Sequence, residues 1–489
     1  MKNPVAMIPG LGRSREFQNW TLFCLFIFLL KLLLFAIDPL PKFIMGDSGT
    51  YIWTALTGGI PEDRSFFYGY VVGWASVKAQ SLTPLLLLQL FLSSIVSLLF
   101  AAICRFIFEV PARWSYLLGL LCALDPLQLL YERYIMTEAI SLFCYAIVLY
   151  RAFFYLRKRH LFDLILVQVI SLFLISFRMS YLPLVEINTI ILPLIAFSGQ
   201  IWRGLRHQSG KEGASRWSAF PTCGGHLLAS VTLMFGLHTG YKQLNGHLAH
   251  REPAYVYTTG VTILAFWSPA LEPEDSPDPR LADLIRNGDE LALKDRHARN
   301  VQLFSPDHLV DRVYNLEPDR AKADQLARQT AFHALSRNPL AIARLAWETY
   351  SDYWSVEVLK MSAVADFSFY NPPSEDLVSL LAARFHLAHD RNSQLKSSLQ
   401  RYYVRVWPYY FVVLLAPLIT GGLIIFRRGR PYALILFVHS SLMLTIAMIF
   451  GELSIRFLQP VSFMTLLAIA LWVSQLPFAA KRNQETAAA

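Results

Sequence analysis

Hydrophobic residues along the chain are gathered into long runs, and shorter polar or basic segments separate these runs. A helix needs about 20 apolar residues to cross a hydrocarbon core of roughly 30 Å. Backbone that faces lipid must also satisfy its hydrogen bonds within its own segment. The pattern therefore predicts an α-helical polytopic membrane protein with about ten transmembrane helices. These cover about residues 20–37, 83–104, 114–131, 136–156, 161–177, 181–201, 226–241, 407–426, 431–450 and 457–476.

The basic residues between these runs predict the orientation of the helices. If the N-terminus is cytoplasmic, the strongly basic linkers all fall on the cytoplasmic side, including Arg151 to Arg159, Arg203 to Arg216 and Arg427 to Arg430. Cytoplasmic loops carry such an excess of Lys and Arg. We therefore expect a multi-pass protein of the plasma (inner) membrane with both termini in the cytoplasm.

Two long segments fall on the opposite side of the predicted membrane. One is the first loop, residues 38–82, within an N-terminal membrane module of residues 1–241. The other is residues 242–406, whose amphipathic patterns predict a mainly helical periplasmic or extracellular domain. Residues 407–489 then supply the C-terminal membrane helices and a cytoplasmic tail.

Composition narrows the function classes. Hydrophobic residues make up 54% of the chain and charged residues only 16%, which is unusual for a soluble protein of 489 residues. The net charge of +9 comes from linkers and not from one continuous basic face, so we expect no nucleic-acid partner. The five cysteines include no CxxC pair, and no cluster has metal-ligand spacing. No cofactor or metal site is evident, although a divalent metal stays open.

Asp47 is the first candidate for chemistry, because it follows the first predicted span by roughly ten residues, close to the membrane surface. A carboxylate there can act as a general base that deprotonates an acceptor hydroxyl. The alternative is structural, since Asp followed by Ser48, Gly49 and Thr50 is typical of a helix N-cap.

The remaining candidates lie on the same predicted side. Glu138 and Asp125 lie in apolar sequence, where ionisable residues are costly and usually face a polar cavity. Arg178 and Arg456 can hold phosphate oxygens through their planar guanidinium groups, or they can extend to lipid headgroups. The candidates for substrate contacts are Arg64, Tyr68, Asp125, Glu132, Arg133 and Glu452. Glu132 and Arg133 can equally mark the interface, and Tyr68 can belong to an aromatic belt.

Three stretches resemble the GT-C superfamily of membrane glycosyltransferases in their order along the chain and in the side of the membrane on which they lie. Within this superfamily they are most similar to the bacterial branch that includes protein O-mannosyltransferase-like and lipid A aminoarabinose transferase-like enzymes. The stretches are Gly46-Asp47-Ser48 with the aromatic segment Arg64 to Tyr70, Leu124-Asp125-Pro126 through Met136-Thr137-Glu138, and Glu452 followed by Arg456-Phe457-Leu458-Gln459-Pro460. The resemblance covers the hydrophobic half of the chain and hardly touches residues 242–406. Many members have Glu where this chain has Ser48, and Tyr where it has Phe457.

The resemblance implies an inverting transfer of sugar from a polyprenyl-phosphate donor to a glycan, lipid or protein acceptor at the outer face of the bilayer. Asp47 would be the catalytic base, and Glu138 would be a second acidic group. Arg178 and Arg456 would neutralise the departing phosphate, where negative charge develops.

Three alternatives stay open. A transporter or lipid flippase of cell-envelope precursors needs polar residues through the middle of the bilayer, where only Lys31, Glu186 and His439 are candidates. A polymerase or ligase of surface polysaccharide shares the lipid carrier and the outer site. A non-catalytic scaffold would use residues 242–406 for binding and would not need Asp47.

Overall fold

The computed structural model describes residues 15–44, 46–206, 219–288, 299–366, 374–388, 398–426, 429–451 and 454–476. Most of these residues are helical. The described ranges contain no β-strand, and a single isolated bridge joins Lys42 to Tyr134.

The helices up to residue 249 belong to the predicted membrane module. They are α1 (Arg15–Ile37), α2 (Asp47–Thr57), α3 (Phe67–Val72), α4 (Thr83–Ala102), α5 (Ala112–Ala123), α6 (Pro126–Tyr131), α7 (Glu138–Lys158), α8 (Leu161–Phe177), α9 (Leu182–Arg206) and α10 (Ala219–Ala249). Turns of π-helix continue α3 to Val77 and α4 to Ile107.

Between residue 249 and the C-terminal pair of long helices, the helices are shorter than the long helices of the membrane module. They are α11 (Thr259–Trp267), α12 (Pro279–Asn287), α13 (Arg299–Phe304), α14 (Leu309–Leu316), α15 (Arg320–Arg337), α16 (Pro339–Tyr353), α17 (Val356–Asp366), α18 (Glu375–Phe385), α19 (Ser398–Arg405), α20 (Trp407–Leu414), α21 (Ala416–Leu423), α22 (Arg430–Ile449) and α23 (Leu458–Val473).

Seven helices among the described residues are long and apolar enough to cross a membrane. They cover Glu16–Ile37, Thr83–Ile107, Glu138–Lys158, Met179–Trp202, Phe220–Ala249, Arg430–Ile449 and Ile455–Val473. This confirms the predicted class, an α-helical multi-pass membrane protein. The number of ten crossings stays a prediction.

The other three predicted spans have shorter helices. Residues 161–177 form one apolar helix of 17 residues, α8. Residues 114–131 are divided between α5 and α6, because the Asp125 carboxylate caps α6 by accepting hydrogen bonds from the backbone N–H groups of Leu127 and Gln128. Residues 407–426 are divided between α20 and α21, where Pro417 lacks the N–H that a continuous helix would use.

The helices of the bundle differ in how deeply they are buried. In the most apolar stretches of α7 and α23, 72% and 83% of the residues are buried, whereas in that of α1 only 17% are. α7 and α23 therefore form the centre of the bundle, and α1 lies at its edge with apolar side chains such as Leu22 and Leu29 exposed.

A separate hydrophobic core lies in the helical region after α10. Val261 and Leu264 of α11 pack against Ala327 of α15 and against Leu309 and Val313 of α14. This region also contacts the end of the bundle, because the Trp267 indole N–H donates a hydrogen bond to the Ile449 carbonyl, 3.1 Å away. α10 continues to Ala249, so the predicted boundary at residue 242 falls inside a helix.

Several connections between helices meet at one end of the bundle, which we name the loop-bearing end. Their described parts are residues 38–44, 46–82, 124–137, 178–181, 250–258, 450–451 and 454–457. The opposite end carries the basic turns, where Arg105 pairs with Glu16 and Arg157 pairs with Glu109. The alternation of helices thus collects the polar candidates at the loop-bearing end.

Candidate functional site

A cavity of about 390 Å³ lies at the loop-bearing end, between the bundle, the first loop and the helical region after α10. The described residues of its walls combine three carboxylates and three guanidiniums with apolar side chains such as Met136, Phe177 and Phe266. The charged residues, which we name the cavity cluster, are Asp47, Asp63, Arg64, Glu138, Arg178 and Arg456. The structure therefore brings Asp47, Arg64, Glu138, Arg178 and Arg456 together from four distant parts of the sequence.

Asp47 is the first residue of α2, and Gly46 precedes it with φ of 80°. Glycine adopts this left-handed conformation without steric cost. The Asp47 carboxylate does not cap its own helix. Its Oδ1 lies 2.8 Å from Arg64 Nη1, and its Oδ2 lies 2.6 Å from Arg456 Nη1. Each carboxylate oxygen is therefore held by a different guanidinium.

The charge state of Asp47 follows from this geometry. Burial alone would raise the pKa of the Asp47 carboxyl, but the guanidiniums of Arg64 and Arg456 outweigh burial and hold the pKa below its usual value. Arg64 also lies over the Tyr51 ring, 5.3 Å from its centroid. Burial raises the pKa of Tyr51, so its phenol stays protonated beside the ionised carboxylate.

Arg178 and Arg456 form a second group in the same cavity. Both guanidiniums lie over the Phe457 ring, 5.1 and 5.2 Å from its centroid, and Arg178 Nη2 donates a hydrogen bond to the Arg456 carbonyl, 3.3 Å away. Arg178 Nη1 lies 3.6 Å from Glu138 Oε1, which is beyond hydrogen-bond distance, and no described residue accepts a hydrogen bond from it. One face of this arginine pair is thus directed at the cavity.

The helical region after α10 supplies the roof of the cavity through Thr258, Val261, Thr262 and Phe266. Asp324 fixes the start of α11, because its Oδ1 accepts hydrogen bonds from the backbone N–H groups of Gly260 and Val261 at 2.6 and 3.1 Å.

Glu62 joins the roof to the first loop. One of its carboxylate oxygens lies 2.5 Å from Arg251 and the other lies 2.5 Å from Arg320. Its carbonyl accepts a hydrogen bond from the backbone N–H of Tyr257, 2.7 Å away. Burial would raise the pKa of Glu62, but the two arginines lower it overall.

Glu132 and Arg133 lie outside the cavity lining, in a group that we name the buried cluster: Lys31, Asp38, Lys42, Glu132 and Arg133. Lys31 Nζ lies 2.7 Å from Glu132 Oε2, and Arg133 Nη1 lies 2.6 Å from Glu132 Oε1. All five side chains are at most 1% exposed. Because Lys31 belongs to α1 and Glu132 follows α6, their ion pair joins α1 to the turn after α6.

The other predicted substrate contacts also have partners away from the cavity. The Tyr68 hydroxyl donates to Gln89 Oε1 at 2.6 Å in the bundle interior. The Asp125 carboxylate caps α6 and accepts hydrogen bonds from Tyr409 and Ser462, so it joins α6 to α20 and α23. Glu452 lies outside the described residues.

Sequence reasoning did not select Tyr51, Asp63 or Glu62. Tyr51 had a usable signal, because it lies one helical turn after Asp47. Glu62 had none, since its contacts with Arg251 and Arg320 join residues 189 and 258 positions apart. Among the described residues, no three His, Cys, Asp or Glu side chains are placed to hold a metal ion.

Comparison of the chain with protein-family models, with curated proteins and with solved structures finds no match.

Proposed function

We propose that the chain is a membrane glycosyltransferase that transfers sugar from a polyprenyl-phosphate donor to an acceptor hydroxyl in this cavity. The observation that carries the proposal is the ionised Asp47 carboxylate beside the arginine pair of Arg178 and Arg456. Base catalysis and stabilisation of a departing phosphate need these two kinds of group at one place.

In the proposed reaction, the acceptor hydroxyl oxygen attacks the anomeric carbon of the donor sugar and inverts its configuration. The bond from that carbon to the phosphate oxygen breaks, and its electron pair stays on the phosphate. The hydroxyl proton passes to an Asp47 oxygen. Arg178 and Arg456 stabilise the charge that develops on the phosphate, and Glu138, whose Oε1 lies 3.6 Å from Arg178 Nη1, is the second acidic group beside them.

The size and walls of the cavity support this assignment. A volume of about 390 Å³ accommodates a sugar phosphate, and the apolar residues Met136, Phe177 and Phe266 suit the start of a prenyl chain. The short linkers at the opposite end carry clustered basic residues such as Arg157, Lys158 and Arg159, and this favours a non-cytoplasmic cavity. The acceptor class, whether glycan, lipid or protein, and the plasma membrane location are part of the proposal.

The test is donor turnover by the full chain in proteoliposomes. Mixed bacterial polyprenyl-phosphate sugars and a crude membrane acceptor are supplied, and release of free polyprenyl phosphate is measured. We expect release by the wild type and a loss of about 10²–10⁴-fold in Asp47→Asn. Asp163→Asn is the matched control, because it breaks the carboxylate–arginine pair with Arg151 at the opposite end, where the pair lies 3.3 Å apart.

The outcomes separate the proposal from its alternatives. Equal release by wild type and Asp47→Asn would remove Asp47 as the base. No release by the wild type, together with movement of the intact donor across the bilayer, would favour a transporter or flippase.

A further inference from the structure

Asp47 has conflicting requirements in the proposed reaction. A general base needs a carboxylate that can take a proton, whereas two arginines within 2.8 Å stabilise the ionised form and weaken it as a base. Arg456 has the same conflict, because the guanidinium that would hold a phosphate is occupied by a carboxylate. The reaction therefore requires that the ion pair of Asp47 with Arg456 separates before the acceptor hydroxyl is deprotonated.

We propose that Asp47 occupies the place of a phosphate oxygen on Arg456, and that the phosphate of the lipid-linked substrate displaces it. The inference rests on the proposed function. Guanidiniums recognise carboxylate and phosphate oxygens through the same planar donors, so one group can replace the other at Arg456.

The charge balance of the cavity favours exchange over simple addition. Among the described residues, its lining holds three carboxylates and three guanidiniums, so these residues have no formal excess of positive charge to receive an anion. A phosphate therefore gains a full ionic partner only by separating one of these pairs. Of the pairs that Arg178 and Arg456 make with carboxylates, that of Arg456 with Asp47 is the more accessible: its side chains are 19% and 22% exposed, against 8% and 2% for Arg178 and Glu138.

The neighbouring arginine indicates where the phosphate would lie. Arg178 is held against Arg456 through the Arg456 carbonyl and the shared Phe457 ring. Its Nη1 has no acceptor among the described residues. A phosphate between Arg178 and Arg456 would satisfy this donor and would replace the Asp47 oxygen on Arg456.

The exchange would make Asp47 a competent base only after the donor has bound. The carboxylate would keep Arg64 as its one ionic partner, and its affinity for a proton would rise. An acceptor hydroxyl would then be activated only beside a phosphate-linked sugar. Asp47 therefore couples recognition of the donor to activation of the acceptor.

The test is equilibrium binding of a polyprenyl phosphate to the full chain in phosphatidylcholine nanodiscs, at constant pH and ionic strength. Asp47→Asn keeps the shape of the side chain but removes the competing charge. We expect it to bind about tenfold more tightly than the wild type. Asp47→Glu keeps the charge and should stay within about threefold of the wild type, as should the distant Asp163→Asn control.

A second probe, inorganic phosphate, distinguishes the headgroup from the lipid tail. It should bind more weakly in every variant and show the same tightening in Asp47→Asn, because the competition concerns the phosphate alone. Unfolding midpoints of the variants measured in parallel establish that each one is folded. Weaker or unchanged binding of both probes by folded Asp47→Asn would overturn the exchange, since Asp47 would then only organise the arginines.

The exchange and the proposed function can fail separately. Tighter phosphate binding by Asp47→Asn without any sugar transfer by the wild type would support the exchange and overturn the function. Transfer that depends on Asp47, combined with unchanged phosphate affinity, would support the function and overturn the exchange.

Discussion

The loop-bearing end holds two groups of charged residues that differ in what surrounds them. In the buried cluster, Lys31, Glu132 and Arg133 are at most 1% exposed and lie within 2.7 Å of their ionic partners. In the cavity cluster, Asp47 and Arg456 pair just as closely but are about one fifth exposed. Short ion pairs therefore do not distinguish the two clusters, whereas access to a cavity does.

This contrast predicts different consequences for removing one charge. In the buried cluster an unpaired ion has no water to replace its partner, so the cost is large. In the cavity cluster, water or substrate can replace the lost partner, so folding is little affected and binding changes.

Glu132→Gln should cost about 3–5 kcal/mol of stability, because it leaves Lys31 and Arg133 buried with a neutral partner. Asp47→Asn should cost less than about 1 kcal/mol, because its arginines reach solvent. The measurement is the free energy of unfolding of the full chain in mixed micelles. Equal losses in the two variants would show that Asp47 is as structural as Glu132 and would end the distinction between the clusters.

Arg456→Ala should lower kcat/KM for the lipid-linked donor by about 10²-fold, because a positive charge is lost where the phosphate departs. Arg178→Ala should have a comparable effect through the same phosphate. Arg151→Ala, at the opposite end, is the control and should leave donor use near the wild-type value. A loss in stability large enough to explain the lost turnover would place both cavity arginines with the buried cluster.

Glu62→Gln should raise the donor KM by about threefold and leave kcat nearly unchanged, because partly exposed ion pairs contribute about 0.2–1 kcal/mol each. The change removes the ion pairs that link the first loop to Arg251 and Arg320, and it leaves the ion pairs of the cavity cluster in place. Since the pKa of Glu62 is lowered, the link holds above the ordinary pKa of a glutamate and is lost as pH falls through the folded value. Asp283→Asn breaks an exposed pair with Arg286 and is the control. A change in kcat alone would contradict a role in the roof.

The hydrophobic pattern was sufficient to predict the helical membrane class and the position of seven long helices. It did not reveal the divisions at Asp125 and at Pro417, because apolar sequence continues across both and only a cap or a missing N–H interrupts the helix. The periodicity and length of a hydrophobic run do not by themselves predict a side-chain cap or a missing backbone hydrogen bond within it.

The predicted sidedness placed Asp47, Glu138, Arg178 and Arg456 on one face, and the structure places these four around one cavity. The same reasoning could not separate them from Glu132, which lies on that face as well. Its partner Lys31 is 101 positions away in the sequence, and no local pattern shows that the two meet. The separation of the buried cluster from the cavity cluster therefore required the structure.

The most direct test of the account compares the acid limbs of the two pH–rate profiles for the lipid-linked donor. The limb of kcat/KM reports the free enzyme, in which Asp47 has two arginine partners, and the limb of kcat reports the complex, in which the phosphate has displaced it from Arg456. We predict that kcat falls at a pH about one unit higher than kcat/KM does, as expected for the loss of one close opposite charge. Coincident limbs, or a kcat limb at lower pH, would contradict the account.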